Sequence, residues 1–297
     1  FMVENEIAND LNNDIHDIIV FNYDNWWKIY TNYFMNMMKN KEKDSVYFYN
    51  LKTVTKKCEL IKNKLNKIDQ FYYAMKANSN IEVLKEITKH DIGLECVSKN
   101  EIILALQFTN NIIFTPNFCD ISEYEFAFAN NVKVIVDNIN ILSNPIFKNK
   151  KYGLRLDPHE GDGHHKKVIT SGNNSKFGIN LEDIEHIDKS NINGLHCHKG
   201  SGITNPKLWN NTVQFLLNLA DKFPNLEWID IGGGLGVDLD LKETNKFINL
   251  ENKKNIKIFM EPGRFFVSSA GVLVSKVTQT KTKGNINYIG ISTGMNS

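Results

Sequence analysis

The sequence predicts an α/β protein built on a (β/α)8 TIM-like barrel, followed by the start of an all-β domain. Three observations predict it. Between Phe71 and Glu261 eight short apolar runs recur, separated by mixed segments whose apolar residues fall at three- and four-residue spacing. Each run is apolar on both faces, as parallel strands covered by helices must be. Almost every run ends on a polar or ionisable residue, so reactive groups gather at one end, where the loops of a barrel enzyme converge.

The eight strand candidates are 71–75, 93–97, 112–114, 132–136, 152–156, 194–198, 227–231 and 257–260. Helix candidates between them include 81–90, 101–108, 122–130 and 210–223. A doubly wound open sheet is the alternative, and the count of eight favours the barrel. After it, 271–280 (GVLVSKVTQT) alternates apolar with polar residues, and 287–291 resumes the pattern, as antiparallel strands do. Residues 1–45, with Trp26-Trp27 and an aromatic-rich stretch to Met38, read as helices that pack on the outside of the barrel, ahead of a strand at 46–49. The expected division is 1–45 for a helical segment, 46–266 for the barrel and 267–297 for the beginning of a β-domain.

A chain of 297 residues with 41% hydrophobic and 11% aromatic residues can bury a real core, which excludes wholesale disorder. Thirty-five basic residues against 34 acidic ones give no charge excess to attract nucleic acid or a membrane surface. Cys58, Cys96, Cys119 and Cys197 form no CxxC pair and read as buried free thiols in a reducing compartment. With no apolar run near ~20 residues and no signal-peptide pattern, a cytoplasmic location is expected.

The strand ends carry Lys76, Glu95 to Ser98, Asn117, Asp137, Arg155 with Asp157, His198 with Ser201, Gly232 to Gly236, and Glu261 with Arg264. Gly232-Gly233-Gly234 directly follows the seventh strand. Glycines let backbone N–H groups approach an anion, and barrels often bind phosphate after strands seven and eight. The planar guanidinium of Arg264 suits the same anion. Lys76 closes an apolar strand; inside a barrel mouth, desolvation and nearby cations are expected to lower its pKa and make it a nucleophilic amine. His196 and His198 share a strand face, with His164-His165 near in sequence. No carboxylate or thiolate completes a ligand set around them in the sequence, so no metal site is expected.

These stretches resemble a known family. YAMKAN (73–78), GLECVS (93–98), TSGNNSKFGI (170–179), HCHKGSG (196–202), DIGGGLG (230–236), EPGRFFV (261–267) and GMNS (294–297) together resemble the pyridoxal-phosphate-dependent decarboxylases built on the alanine-racemase-type barrel. The GHH, TSG and SKFGI forms are similar to the diaminopimelate branch, especially versions fused to aspartokinase. The resemblance runs from about Val46 to the end. It implies pyridoxal 5'-phosphate as cofactor, Lys76 as its Schiff-base lysine, and His198 against the ring face. Ser201, Gly232, Gly233, Gly234 and Arg264 would hold the phosphate, and Glu261 would pair with the pyridine nitrogen. Arg264 and Arg155 would meet substrate, and Glu95 would support the barrel mouth. A carboxylate beside the ring nitrogen keeps it protonated and able to absorb the electron pair left by decarboxylation; an arginine there would suit a racemase.

The resemblance also implies a homodimer with an active site shared across the interface. Residues that read the distal end of the substrate are expected beyond Ser297, so the sequence reads as part of a longer chain. The expected reaction converts meso-2,6-diaminopimelate to L-lysine and CO2. The alternatives are a sister decarboxylase of ornithine, arginine or carboxynorspermidine, or a non-catalytic pyridoxal-phosphate-binding homologue.

Overall fold

The computed structural model describes residues 18–21, 25–41, 44–159, 175–251 and 255–294. His164, His165, positions 170–174 of the TSG motif and positions 295–297 of GMNS lie outside them. The chain forms two compact units, one of residues 51–268 and one that joins 1–50 to 269–297.

The discontinuous unit starts with β1 (Ile18–Phe21), a 3-10 turn at Asn25–Tyr30, α1 (Thr31–Lys41) and β2 (Ser45–Tyr49). The contiguous unit holds eight strands: β3 (Gln70–Ala74), β4 (Gly93–Cys96), β5 (Ile112–Phe114), β6 (Lys133–Val136), β7 (Tyr152–Arg155), β8 (Ile192–His196), β9 (Trp228–Asp230) and β10 (Lys257–Met260). They close into a barrel in the order β10-β3-β4-β5-β6-β7-β8-β9, and every pair is parallel. The eight strands fall where the apolar runs predict them. Helices α2 (Leu51–Lys64), α3 (Ile81–Thr88), α4 (Lys99–Ala105), α5 (Ile121–Ala129), α6 (Pro206–Asn218), α7 (Leu241–Phe247) and α8 (Arg264–Val267) complete this unit.

Local chemistry starts most of these helices. The side chains of Asn80, Ser98, Asp120, Asn205 and Asp240 each accept a bond from a first-turn N–H of α3, α4, α5, α6 and α7, satisfying donors that the helix leaves unpaired. Pro206 at the head of α6 costs nothing, because its missing N–H would have had no intrahelical partner.

One end of the barrel interior is filled by Tyr72, Ile113, Ile135, Trp228 and Phe259, all buried together. The Trp228 and Phe259 rings stack at 5.4 Å, and Tyr72 meets Phe259 edge-on. The indole fits because Gly153 and Gly194 face it from the next two strands; a Cβ on Gly194 would overlap the ring. The polar residues at the C-terminal ends of the strands are left to line the mouth.

In the other unit, β11 (Gly271–Lys283) pairs antiparallel with β1, with β2 and with β12 (Ile286–Ile291). Trp27, Phe34 and Met38 are buried with Val272 and Val274, with Trp26, Val46 and Phe48 against them. This differs from the expectation in two ways. The strand at 46–49 belongs to this sheet, and the aromatic segment before it packs on the sheet formed with β11. The alternating pattern of 271–280 supplies an apolar face, and the tryptophans and phenylalanine cover it.

Candidate functional site

Lys76 lies in a single 3-10 turn, Met75–Ala77, directly after β3. Its Nζ is 2.7 Å from Glu95 Oε2 at the end of the neighbouring β4, and the Glu95 side chain is 1% exposed while that of Lys76 is 55% exposed. Glu95 also accepts a bond from the Thr115 hydroxyl beyond β5. Partial desolvation by the surrounding protein lowers the pKa of Lys76, but the carboxylates of Glu95 and Glu261 outweigh it and hold the amine above its ordinary value. The expected lowering of the Lys76 pKa is therefore reversed in this structure, because acids and not cations are its nearest charged neighbours.

Glu261 follows β10 and is 5% exposed. Its Oε2 lies 3.2 Å from His196 Nε2, and burial pushes the carboxyl up to about 7 against the opposing pull of Lys76 and Arg155. His196 and His198 are both held well below the usual imidazole range, chiefly by burial and then by the Arg155 charge, so both rings are neutral. Nδ1 of His198 accepts the N–H of Gly233 at 3.0 Å, which leaves Nε2 as the protonated nitrogen.

Arg155, at the end of β7, is buried. Burial lowers its pKa, opposed first by Asp137 and then by Glu261, and it remains a cation. Its guanidinium sits 4.5 Å from the centroid of the Phe177 ring. Phe177 is brought there by a short return of the chain: Ile179 bridges Leu156, and its N–H donates to the carbonyl of Arg155 at 2.8 Å.

A cavity of about 370 Å3 opens at these strand ends, lined by Lys76, Thr115, Asn117, Arg155, Lys176, Phe177, His196, His198 and Glu261 among others. The structure thus brings together Lys76, His198, Glu261 and Arg155 of the expected residues. Ser201, Gly232, Gly233, Gly234 and Arg264 are not among the lining residues; Ser201 and the glycines occupy the loops after β8 and β9, and Arg264 opens α8 after β10. Gly232 and Gly234 adopt positive φ of 71° and 93°. A side chain at Gly233 or Gly234 would collide with the carbonyls of Glu261 and Gly200 respectively. The N–H groups of Gly232 and Gly233 are taken up by Asp230 and His198. The glycine run is therefore required by close backbone packing as well as by any anion.

Sequence reasoning gave no role to Thr115, Lys176, Phe177, His196 or Asp230. SKFGI and DIGGG carry three of them, but only three-dimensional proximity distinguishes them from neighbours in the same motifs. The absence of a carboxylate around the paired histidines is also corrected. His196, Asp230 and Glu261 come within 4.8 Å of one another, because they occupy β8, β9 and the end of β10, which are adjacent strands. Cys58, Cys96 and Cys197 are buried and Cys119 is half-buried, and none of the four forms a disulfide.

The profile of the pyridoxal-binding domain of the pyridoxal-dependent decarboxylases matches residues 51–268, the same span as the barrel unit. The chain belongs to the pyridoxal-dependent decarboxylase family. A diaminopimelate decarboxylase of Buchnera aphidicola is 30% identical over 88% of this chain and 70% of its own length. The Helicobacter pylori diaminopimelate decarboxylase complexed with L-lysine superposes with a TM-score of 0.79 at 23% identity, covering 88% of this chain and 73% of that one. The Paramecium bursaria Chlorella virus arginine decarboxylase bound to agmatine gives 0.74 at 24% identity, covering 87% and 74%. At those identities the structural likenesses establish the fold alone. The chain spans between 52% and 72% of the length of the curated relatives that it matches.

The pyridoxal phosphate that serves this family fits the groups facing the cavity. One wall offers a primary amine for the aldehyde, another a carboxylate for the ring nitrogen, and His198 a neutral flat ring for the cofactor's face. Among the described residues no helix is long and apolar enough to cross a membrane.

Proposed function

We propose that the protein decarboxylates meso-2,6-diaminopimelate to L-lysine and CO2, with Lys76, His198 and Glu261 as the residues that handle the cofactor. The observation that carries this is the convergence of those three side chains and Arg155 on one cavity, in a chain whose matched relatives include many diaminopimelate decarboxylases. Pyridoxal phosphate, when bound, accepts the electron pair that departing CO2 leaves on the α-carbon.

This chain's residues do the rest. Lys76 Nζ would hold the cofactor, and because Glu95 keeps the amine as an ammonium, Glu95 Oε2 at 2.7 Å would accept the proton that the amine must lose. Glu261 places a carboxylate at the ring nitrogen, which favours decarboxylation over racemisation. His198, with its ring orientation set by Gly233, would lie along the cofactor's face. Ser201, the glycine loop from Gly232 to Gly234, and Arg264 would hold the phosphate, and Arg155 and Arg264 would meet the substrate carboxylate. Cysteines outside any disulfide accord with a reducing compartment, and we place the enzyme in the cytoplasm as a homodimer.

The test is an assay of CO2 release by the full-length protein from meso-diaminopimelate, ornithine and arginine. Release from diaminopimelate is expected; release from another amino acid alone would sink the substrate assignment. Lys76→Ala is expected to abolish the visible absorbance of bound cofactor, and an unchanged band would remove Lys76 from its role.

A further inference from the structure

At the cavity wall, His196 and Glu261 form a buried set with Asp230, which has no role so far. Asp230 is 0% exposed at the end of β9, His196 is 1% exposed on β8, and Glu261 follows β10. Their polar atoms lie within 4.8 Å of one another. Asp230 Oδ1 accepts the Gly232 N–H at 2.8 Å, and Glu261 Oε2 is engaged by His196. The remaining oxygens, Asp230 Oδ2 and Glu261 Oε1, are both buried and without a hydrogen-bond partner. Two ionised carboxylates offer each other only lone pairs, and leaving both buried and unmatched is costly. One proton between them turns one oxygen into a donor and satisfies both.

We propose that Asp230 keeps this proton at Oδ2 and donates it to Glu261 Oε1, so that Asp230 is a positioning residue that holds Glu261 ionised and aimed at the cofactor's ring nitrogen. The assignment to Asp230 follows from which charges face each acid. Glu261 faces the cations Lys76 and Arg155, which favour its ionised form. Asp230 faces Glu261 and Glu95, the phenol of Tyr72 and the neutral ring of His196, while the Gly232 N–H favours its anion. Burial raises both carboxyls, and Asp230, without a cation, holds its proton to the higher pH. A carboxylate has lone pairs enough to accept from His196 and Asp230 and still face the cavity. The same aspartate also ties Glu261 to the first residue of the glycine loop, so the ring-nitrogen and phosphate ends of the site share one anchor.

This inference rests on Glu261 serving the cofactor, and its test separates the two. Infrared difference spectra of the full chain stripped of cofactor, at about pH 8, should show the carbonyl band of a protonated carboxylic acid in the wild type. Asp230→Asn should remove it. No such band, or one that persists in Asp230→Asn, would overturn the proposal. Because Asn keeps a donor toward Glu261, Asp230→Asn should bind pyridoxal phosphate within about threefold of wild type. Asp230→Leu, of similar volume but without a donor, should weaken binding by about tenfold or more. Equal weakening in both variants would overturn the role of the donor. A wild-type protein that shows the band but binds no pyridoxal phosphate would support the proton on Asp230 and overturn the cofactor reading.

Discussion

Glu261 ties the chemistry of the site to the stability of the protein. Its carboxyl titrates near 7 when folded, against an ordinary value of 4.5, because burial penalises the anion. A raised folded value means that the folded state binds the proton more tightly than the unfolded chain does. The resulting stabilisation is complete below about 4.5 and is lost as pH rises through about 7, a loss on the order of 3 kcal/mol. Urea unfolding of the cofactor-free protein should therefore show a midpoint that falls between pH 5 and pH 8. Asp230, whose buried carboxyl is raised as well, adds to the same slope, so Glu261→Gln should reduce it and not remove it; an identical slope in both proteins would remove Glu261 as a source. Lys76 has the same sense, since its folded pKa is raised too: Glu95 and Glu261 retain the proton on the amine that must react without it.

At the scale of strands and helices, the barrel was legible because both-face apolar runs and polar strand ends are local signals that tertiary packing reinforces. The glycines behave differently. Gly153 and Gly194 sit in runs that a β-propensity argument would penalise, and nothing local reveals that the Trp228 indole fills the space they leave. Gly194→Ala should destabilise the protein by at least about 2 kcal/mol, read from chemical denaturation, since the added methyl must displace a ring packed between strands. The candidate site shows the same division. Lys76, His198, Arg155 and Glu261 were readable from their place at strand ends and from their motifs. Asp230 was hidden because an acid before a glycine turn looks like any strand terminus until β8, β9 and the end of β10 are set side by side. The strand at 46–49 was misassigned for a related reason: its partner, β11, follows the entire barrel, and no local pattern records so distant a pairing.

At the scale of the whole molecule, one unit is continuous in sequence and the other is not. Residues 51–268 hold every strand of the barrel and every residue proposed to touch the cofactor. Expressed alone, this segment should keep the circular dichroism of an α/β fold and bind pyridoxal phosphate; a segment that remains unfolded would show that the barrel depends on the second unit. The discontinuous unit has a consequence for synthesis. Tyr47 and Phe21 both lie opposite Leu273, so β1 and β2 leave the ribosome well over two hundred residues ahead of the strand they pair with. At ~5–20 residues per second they wait on the order of ten seconds or more with unpaired edges, while an entire barrel is made behind them. Chaperone capture during translation should fall on this early aromatic segment, and release should coincide with the emergence of β11.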